Sequence, residues 1–335
     1  MKPACVALLF AACSPTVDVA RVDGGALDGA RDAASPPADS GARDLAGSTT
    51  CDPGYVEVNG SCVVAPFVDP ASRSPSAVCA AWKQGHLLTD GNPWQPGAMQ
   101  CAPGTLSRAG IDDTLRRSDL FRWLAGLAPV TDDATWDAND QLCAVMEAAN
   151  GTLNHTPPNT WKCWTQSAYD ASSSSNLAFG TGTAADAIDL FMDDSGTPSL
   201  GHRRWLCNPP LDGVGVGFAM GFTCYHVFGM GNMTPPTAWQ AVPNPGPVPL
   251  PVASFSIWSF HSAGANFANA TVAVTRKGDG MALPVTVVAL APGYGVDAIG
   301  FSHTWAPASG QIYSVAIGGT SLGNVTYDVA PVDCP

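Results

Sequence analysis

The sequence predicts an α+β protein in which a layered domain of helices and paired strands is followed by a small all-β sandwich. Apolar residues recur at helical spacing through the first part of the main region, and two short apolar runs divided by a glycine follow them. Seven prolines between Thr234 and Pro251 then interrupt the pattern. Beyond them apolar and polar residues alternate with a period of two. Helices succeeded by paired strands are typical of layered α+β domains.

Composition limits the class of protein. The chain has 335 residues, enough for one sizeable core and a smaller one. Only 13% of the residues are charged, while 35 glycines and 29 prolines indicate many turns. The formal net charge is −13 and no basic stripe is present, which argues against nucleic acid as a partner, because phosphate binding draws on clustered Lys and Arg.

The first 13 residues predict an export signal. An apolar run ending at Phe10 is too short to span a bilayer and is followed by two alanines and Cys13. The Phe-Ala-Ala-Cys ending resembles a bacterial lipobox, although Phe10 stands where Leu is usual. We interpret Cys13 as a lipidation site that anchors the protein to the cell-envelope membrane, at the outer membrane or cell surface. The alternative is an ordinary signal peptide and a secreted protein.

Two short regions separate this signal from the main domain. Residues 14–50 contain six aspartates among Ala, Gly, Ser and Pro, and cannot bury enough apolar surface to offset the entropy of ordering, so we predict a disordered tether. Residues 51–63 predict a small disulfide hairpin with a turn at Asn59-Gly60.

Eleven cysteines in an exported chain indicate disulfides, and the absence of zinc-finger CxxC spacing argues against thiolate zinc sites. Without Cys5 in the signal and Cys13, nine remain. Sequence proximity predicts four pairs and leaves Cys334 over: Cys51–Cys62, Cys79–Cys101, Cys143–Cys163 and Cys207–Cys224.

The layered domain is predicted over residues 64–233. A helix covers Asp113 to Leu127, with a glycine near its end, and Thr131 can cap a second helix that stops before Gly151. A third helix places Ala184, Ala187, Ile188, Phe191 and Met192 on one face. The second helix is expected to bury Ala138, Leu142, Val145 and Ala149, and strands are expected at Val214–Ala219 and Thr223–Phe228.

Residues 234–251 are predicted to be a stiff proline-rich linker. Residues 252–335 then contain six short strands separated by turns, which indicates an immunoglobulin- or fibronectin-like β-sandwich. This second domain carries no catalytic motif.

Two histidines and one carboxylate form the candidate site. His155 lies in Leu153-Asn154-His155-Thr156, His202 lies in Gly201-His202-Arg203-Arg204-Trp205, and Asp194 ends the third helix at the border of its apolar face. A neutral imidazole is a good metal ligand and a usable general base. We expect His226 to face the solvent side of its strand, and Arg203 and Arg204 to pair with local acids such as Asp193.

These motifs, over roughly residues 107–230, resemble the CAP superfamily, also called SCP-like or cysteine-rich secretory, antigen 5 and pathogenesis-related 1 domains. His155 and His202 match the two family histidines, and Asn176-Leu177 matches the Asn-Ile/Leu of a Gly-Glu-Asn motif. Ser175 stands where that motif has its glutamate. Asp194 matches a second family glutamate.

The resemblance implies an α-β-α sandwich whose two histidines can hold a divalent metal such as zinc. In some relatives a separate apolar cavity takes sterols or fatty acids. The first interpretation is therefore a surface-anchored binding or interaction module with a lipid, sterol or protein ligand, in which His155 and His202 bind metal weakly and Asp194 or water completes the shell.

Two other functions remain open. A metal-assisted, peptidase-like hydrolase would hold zinc on His155 and His202 and use Asp194 to position a water, but Ser175 in place of the family glutamate argues against it. A triad of Ser175, His155 and Asp194 lacks the Gly-x-Ser-x-Gly elbow. The last alternative is a purely structural envelope protein.

Overall fold

A computed structural model describes residues 73–231 and 238–335, together with the backbone of strands β1 (Tyr55–Val58) and β2 (Ser61–Val64), which pair in antiparallel orientation. The predicted signal, lipidation site, tether and Cys51–Cys62 disulfide lie outside the described residues. Within the described part, no helix is both long enough and apolar enough to cross a membrane.

Seven helices form in the described residues, and short polar side chains cap the main ones. Ser107 accepts a hydrogen bond from Gly110 N, so the first predicted helix begins earlier than Asp113. Asp133, rather than Thr131, caps the next helix, and Gly151 ends it in the left-handed conformation at φ 67°. The helices are α1 (Pro75–Gly85), α2 (Arg108–Leu124), α3 (Ala134–Asn150), α4 (Gln166–Ser174), α5 (Ala184–Asp193), α6 (Gly201–Leu206) and α7 (Leu250–Ala253).

A three-stranded antiparallel sheet forms the middle layer of the first domain, with the order β6-β9-β8. Helix α3 packs against it from one side and α5 from the other, and α2 packs on α5. The α+β prediction is confirmed. The strands of this domain are β3 (Trp94–Gln95), β4 (Thr105–Leu106), β5 (Thr131–Asp132), β6 (Ser175–Phe179), β7 (Leu211–Val214), β8 (Val216–Ala219), β9 (Phe222–His226) and β10 (Gly229–Met230).

Glycines in and beside β8 let helix α3 approach the sheet closely. A Cβ atom on Gly217 would lie 2.0 Å from the Asp140 carbonyl oxygen, and one on Gly215 would lie 2.5 Å from the Trp136 Cβ. Neither distance is possible without moving the helix backbone away from the strand. The Val-Gly-Val-Gly sequence is therefore a contact surface for α3.

Side chains of α3 also cover the outer edge of β8. The Gln141 amide accepts a hydrogen bond from Phe218 N at 3.2 Å and donates one to Phe218 O at 3.0 Å, as a neighbouring strand would. One helical turn earlier, the Asp137 carboxylate accepts from Val216 N at 2.8 Å. The edge strand is thereby closed to other chains.

We expect Gly217→Ala to destabilise the protein by about 3 kcal/mol or more, because its methyl group meets helix backbone rather than a mobile side chain. Chemical denaturation of the variant and the wild type measures this difference. Gly91→Ala is the control, since Gly91 is exposed and nothing lies within 4 Å of the place that its Cβ atom would take. A free energy of unfolding that is the same for Gly217→Ala and Gly91→Ala would contradict the close packing.

The disulfide pattern differs from the prediction. The three described bonds join Cys79 to Cys334, Cys101 to Cys163 and Cys143 to Cys224, with sequence separations of 255, 62 and 81. Cys207 is a free, buried cysteine. The predicted pairs Cys79–Cys101, Cys143–Cys163 and Cys207–Cys224 are therefore wrong. Proximity in sequence failed because the cost of closing a loop grows only slowly with its length, so packing selects the partners.

Between residues 238 and 335, two sheets pack face to face as a β-sandwich, as predicted. One has the order β11-β13-β17-β16 and the other β12-β19-β18-β14-β15. Trp258 in the first lies 6.5 Å from Tyr313 in the second, ring centre to ring centre. The strands are β11 (Gln240–Val242), β12 (Gly246–Pro249), β13 (Ile257–His261), β14 (Thr271–Arg276), β15 (Met281–Leu283), β16 (Thr286–Ala289), β17 (Ala298–Ser302), β18 (Tyr313–Thr320) and β19 (Gly323–Val332).

The predicted linker at residues 234–251 is wrong over its described residues. Strand β11 pairs with β13 in one sheet, and β12 pairs in parallel with β19 in the other. Strand β12 contains Pro247 and Pro249 but lies at the edge of its sheet, where a proline costs no ladder hydrogen bond on the open side. Proline content alone therefore did not distinguish an edge strand from a linker.

Two buried arginines of α6 join the domains. Arg203 donates to Met192 O and Asp193 O in its own domain and to Ile257 O and Ser259 Oγ on β13, at 2.5 to 3.0 Å. Arg204 donates to Ala291 O at 2.6 Å and to Val296 O at 3.1 Å in the sandwich. The predicted pairing with the Asp193 carboxylate is wrong, because backbone carbonyls solvate both guanidinium groups instead.

His261 lies beside these arginines. It is fully buried, and its Nε2 lies 2.8 Å from Ser259 Oγ. Burial lowers the pKa of His261 to about 3, and the charges of Arg203 and Arg204 contribute to this lowering. The imidazole is therefore neutral in the folded protein at all ordinary pH values.

We expect the wild type to lose stability relative to His261→Gln as the pH falls from about 6.5 towards about 3. In this window the unfolded imidazole binds a proton and the folded one does not, so unfolding is favoured by about 1.4 kcal/mol per pH unit. Urea denaturation of both proteins across the window measures the effect. Parallel stability curves for the two proteins would show that His261 is protonated in the folded state.

Candidate functional site

Asp194 and His202 form a hydrogen-bonded pair at one side of the site. Asp194 follows α5 as its C-cap in the left-handed conformation, at φ 46°. Its carboxylate Oδ1 lies 2.8 Å from His202 Nδ1, and its Oδ2 accepts from Arg203 N at 3.2 Å. Since a carboxylate only accepts, Nδ1 of His202 carries a proton, and in the neutral imidazole Nε2 has the free lone pair.

His155 is held in the same tautomer by a backbone carbonyl. It lies in the loop after α3, and its Nδ1 donates to Ser172 O of α4 at 2.8 Å. Burial lowers the pKa of His155, the hydrogen bond to Ser172 raises it, and the nearby charge of His202 lowers it. His202 thus lies within electrostatic range of His155, and no hydrogen bond among the described residues uses the Nε2 atom of either ring.

This donor set fits part of a metal site. Neutral imidazoles bind zinc through one nitrogen while the other donates to a carboxylate or a carbonyl, and both histidines have that arrangement. Both oxygens of the Asp194 carboxylate already take part in hydrogen bonds, one with His202 Nδ1 and one with Arg203 N. Asp194 is therefore placed to orient His202 and not to bind the metal ion itself. In the described residues, no three side chains of His, Cys, Asp or Glu are grouped to hold a metal ion. A bound ion would therefore have two protein ligands and water.

Ser175 does not join this group. It is buried in β6, and its Oγ donates to the Asp140 carboxylate at 2.7 Å. Burial holds the pKa of Asp140 well above its usual range, although the bond from Ser175 lowers it. The triad of Ser175, His155 and Asp194 is not assembled, because the partner of Asp194 is His202.

Sequence reasoning missed two buried carboxyl groups on α3. Of the four residues it expected in the core, Val145 is buried, while Leu142 and Ala149 are half-buried. The buried face carries Asp140, Cys143, Ala144 and Glu147, whereas Ala138 is exposed. Charged side chains are seldom buried without a partner, and here serine hydroxyls supply hydrogen bonds to both acids. The spacing i, i+3, i+4, i+7 around a cysteine was the available signal.

Glu147 is fully buried behind His155. Its Oε1 accepts from Ser172 Oγ at 3.0 Å and its Oε2 accepts from Asn154 N at 3.1 Å. Burial raises the pKa of Glu147 to about 7, against the lowering effect of these two hydrogen bonds.

His226 lies in a separate polar cluster. Its ring stacks on Trp136 with 4.3 Å between ring centres, and its Nδ1 lies 3.4 Å from Ser174 Oγ. Burial lowers the pKa of His226 to about 4, while the charge of Asp133 raises it. The expectation of a solvent-facing histidine is wrong, because Trp136 covers one face of the ring.

Comparison with known proteins assigns a family to this part of the chain. Residues 115–230 match the family model described as CAP, the cysteine-rich secretory protein family. The match begins within α2, ends in β10 and includes both histidines, but it covers only about a third of the chain. Neither the curated proteins nor the solved structures contain a significant match. Residues 115–230 therefore contain a CAP domain, and the family is assigned to this segment alone.

Proposed function

We propose that this protein is an exported binding module in which His155 and His202 of the CAP domain hold a divalent transition metal, with zinc as the leading candidate. One observation carries the proposal. Both Nδ1 atoms donate to fixed acceptors, Ser172 O and Asp194 Oδ1, so both Nε2 atoms have lone pairs available for a metal ion.

The same geometry supports modest affinity and little hydrolysis. Two imidazoles supply half of a tetrahedral shell, and water would fill the rest. Efficient hydrolysis also requires a general base within reach of that water. Asp194 accepts from His202 and from Arg203 N, and Ser175 donates to Asp140, so neither is free for this role.

Zinc titration by calorimetry tests the proposal. We expect His155→Ala and His202→Ala each to weaken binding at least tenfold, and Asp194→Asn to weaken it by about tenfold, because the carboxylate only orients His202. Affinity should fall on acidification, since protons compete for the same nitrogens. His86→Ala is the control, because His86 pairs with Asp189 and has no contact with His155, His202 or Asp194 among the described contacts.

Equal zinc affinity in the wild type and both site variants would remove the metal site. Metal-dependent peptide cleavage that is lost in both variants would replace the binding module with the peptidase-like hydrolase.

Export and anchoring are the second part of the proposal. Three disulfides in the described residues fit an oxidising compartment outside the cytosol. We propose that the anchor is a lipid on Cys13 and that the module presents its CAP domain from the cell-envelope membrane to a lipid, sterol or protein ligand.

We expect mass spectrometry of the mature protein to find an N-terminal, acylated Cys13, because an apolar run and two small residues precede it in the sequence. Cys13→Ser should release the protein from the membrane fraction. A mature chain that starts elsewhere, or that carries an unmodified Cys13, would contradict the anchor.

A further inference from the structure

We propose that Glu147 is a positioning residue for His155: its buried carboxylate fixes the loop and the acceptor that together set the orientation and tautomer of the imidazole. The consequence for metal affinity rests on the proposed function, whereas the positioning can be measured in the metal-free protein.

The first contact holds the loop. Gly151 ends α3, and the chain reaches His155 four residues later without entering another helix or strand. The backbone N–H of Asn154, the residue before His155, donates to Glu147 Oε2 at 3.1 Å. The backbone position of His155 is thus tied to α3 through this carboxylate.

The second contact holds the acceptor. Ser172 Oγ donates to Glu147 Oε1 at 3.0 Å, and the carbonyl oxygen of the same serine accepts from His155 Nδ1 at 2.8 Å. The Glu147 carboxylate therefore constrains both ends of the His155 side chain. It fixes the backbone next to His155, and it fixes Ser172, whose carbonyl oxygen accepts the hydrogen bond from the imidazole ring.

Both contacts lie on a rigid framework. Glu147 and Ser172 are fully buried, and their helices α3 and α4 pack together. The Cys143–Cys224 disulfide, one turn before Glu147, links α3 to β9, and Cys143 Sγ lies 3.2 Å from Ser172 Oγ. A residue on this framework can hold a loop histidine more precisely than the loop could by itself.

The same helix supplies a matched control. Asp140 lies two turns earlier on the same face, is as fully buried as Glu147, and accepts a hydrogen bond from a serine hydroxyl, that of Ser175. It has no hydrogen bond to Asn154, His155 or Ser172 among the described contacts. Loss of Asp140 should therefore destabilise the fold without releasing His155.

Long-range ¹H–¹⁵N NMR correlations of the metal-free protein, at a pH where the imidazoles are neutral, report the tautomer of each histidine. We expect a single Nδ1–H tautomer for His155 in the wild type and a mixture in Glu147→Ala. His202 should be unchanged in both, because Asp194 holds it. Glu147→Gln should restore the wild-type pattern, since its amide can accept from Asn154 N and donate to Ser172 Oγ.

If Glu147→Ala does not fold, the same NMR measurement is made on Glu147→Asp. It keeps the charge but is one methylene shorter and cannot reach both partners, so His155 should again become a mixture. An unchanged His155 in Glu147→Asp, or an equal change of His155 in Asp140→Ala, would overturn the proposal.

Measuring zinc affinity together with the His155 tautomer distinguishes the positioning role of Glu147 from the proposed metal site. We expect Glu147→Ala to bind zinc about 10- to 100-fold more weakly than the wild type, as with other residues that orient metal ligands. If the wild type binds no zinc but Glu147→Ala still mixes the His155 tautomers, the metal site fails and the positioning role stands. If zinc binding and the tautomer are both unaffected in Glu147→Ala, the positioning role fails and the metal site stands.

Discussion

The close packing of helix α3 on strand β8 is the contact on which the rest of the CAP domain depends. Because Gly215 and Gly217 have no side chains, the helix backbone lies directly against the strand. At that distance, side chains on the buried face of α3 contact β9, β6 and α4 as well as β8. Cys143 bonds to Cys224 in β9, Asp140 meets Ser175 in β6, and Glu147 meets Ser172 in α4. A wider helix–sheet spacing would break these three contacts together.

Each carboxyl group on the buried face of α3 accepts a hydrogen bond from a serine hydroxyl, Glu147 from Ser172 and Asp140 from Ser175. A buried carboxyl without a hydrogen-bond donor costs several kcal/mol, so the serines at 172 and 175 are as necessary as the acids they face. Here the carboxylate next to the His155 loop comes from α3, and Ser175 is occupied by Asp140.

Helix α6 connects the candidate site to the second domain. Its first turn contains His202, whose ring faces Asp194, and then Arg203, whose guanidinium group is buried against β13 of the sandwich. Arg203 N also donates to the Asp194 carboxylate. Arg203 therefore connects β13 of the sandwich to the carboxylate that faces His202.

The sequence by itself determined the α+β class, the order of the two domains, the end of α3 at Gly151, the apolar face of α5 and the resemblance of residues 115–230 to one family. These depend on periodicity, capping and local motifs, which act over a few residues. Only the tertiary structure decided the disulfide partners, the burial of Asp140 and Glu147, the strands within the proline-rich segment and the arginine contacts between domains. Each of these joins residues far apart in the chain, and their pairing is set by which surfaces pack together, so no local pattern could specify it.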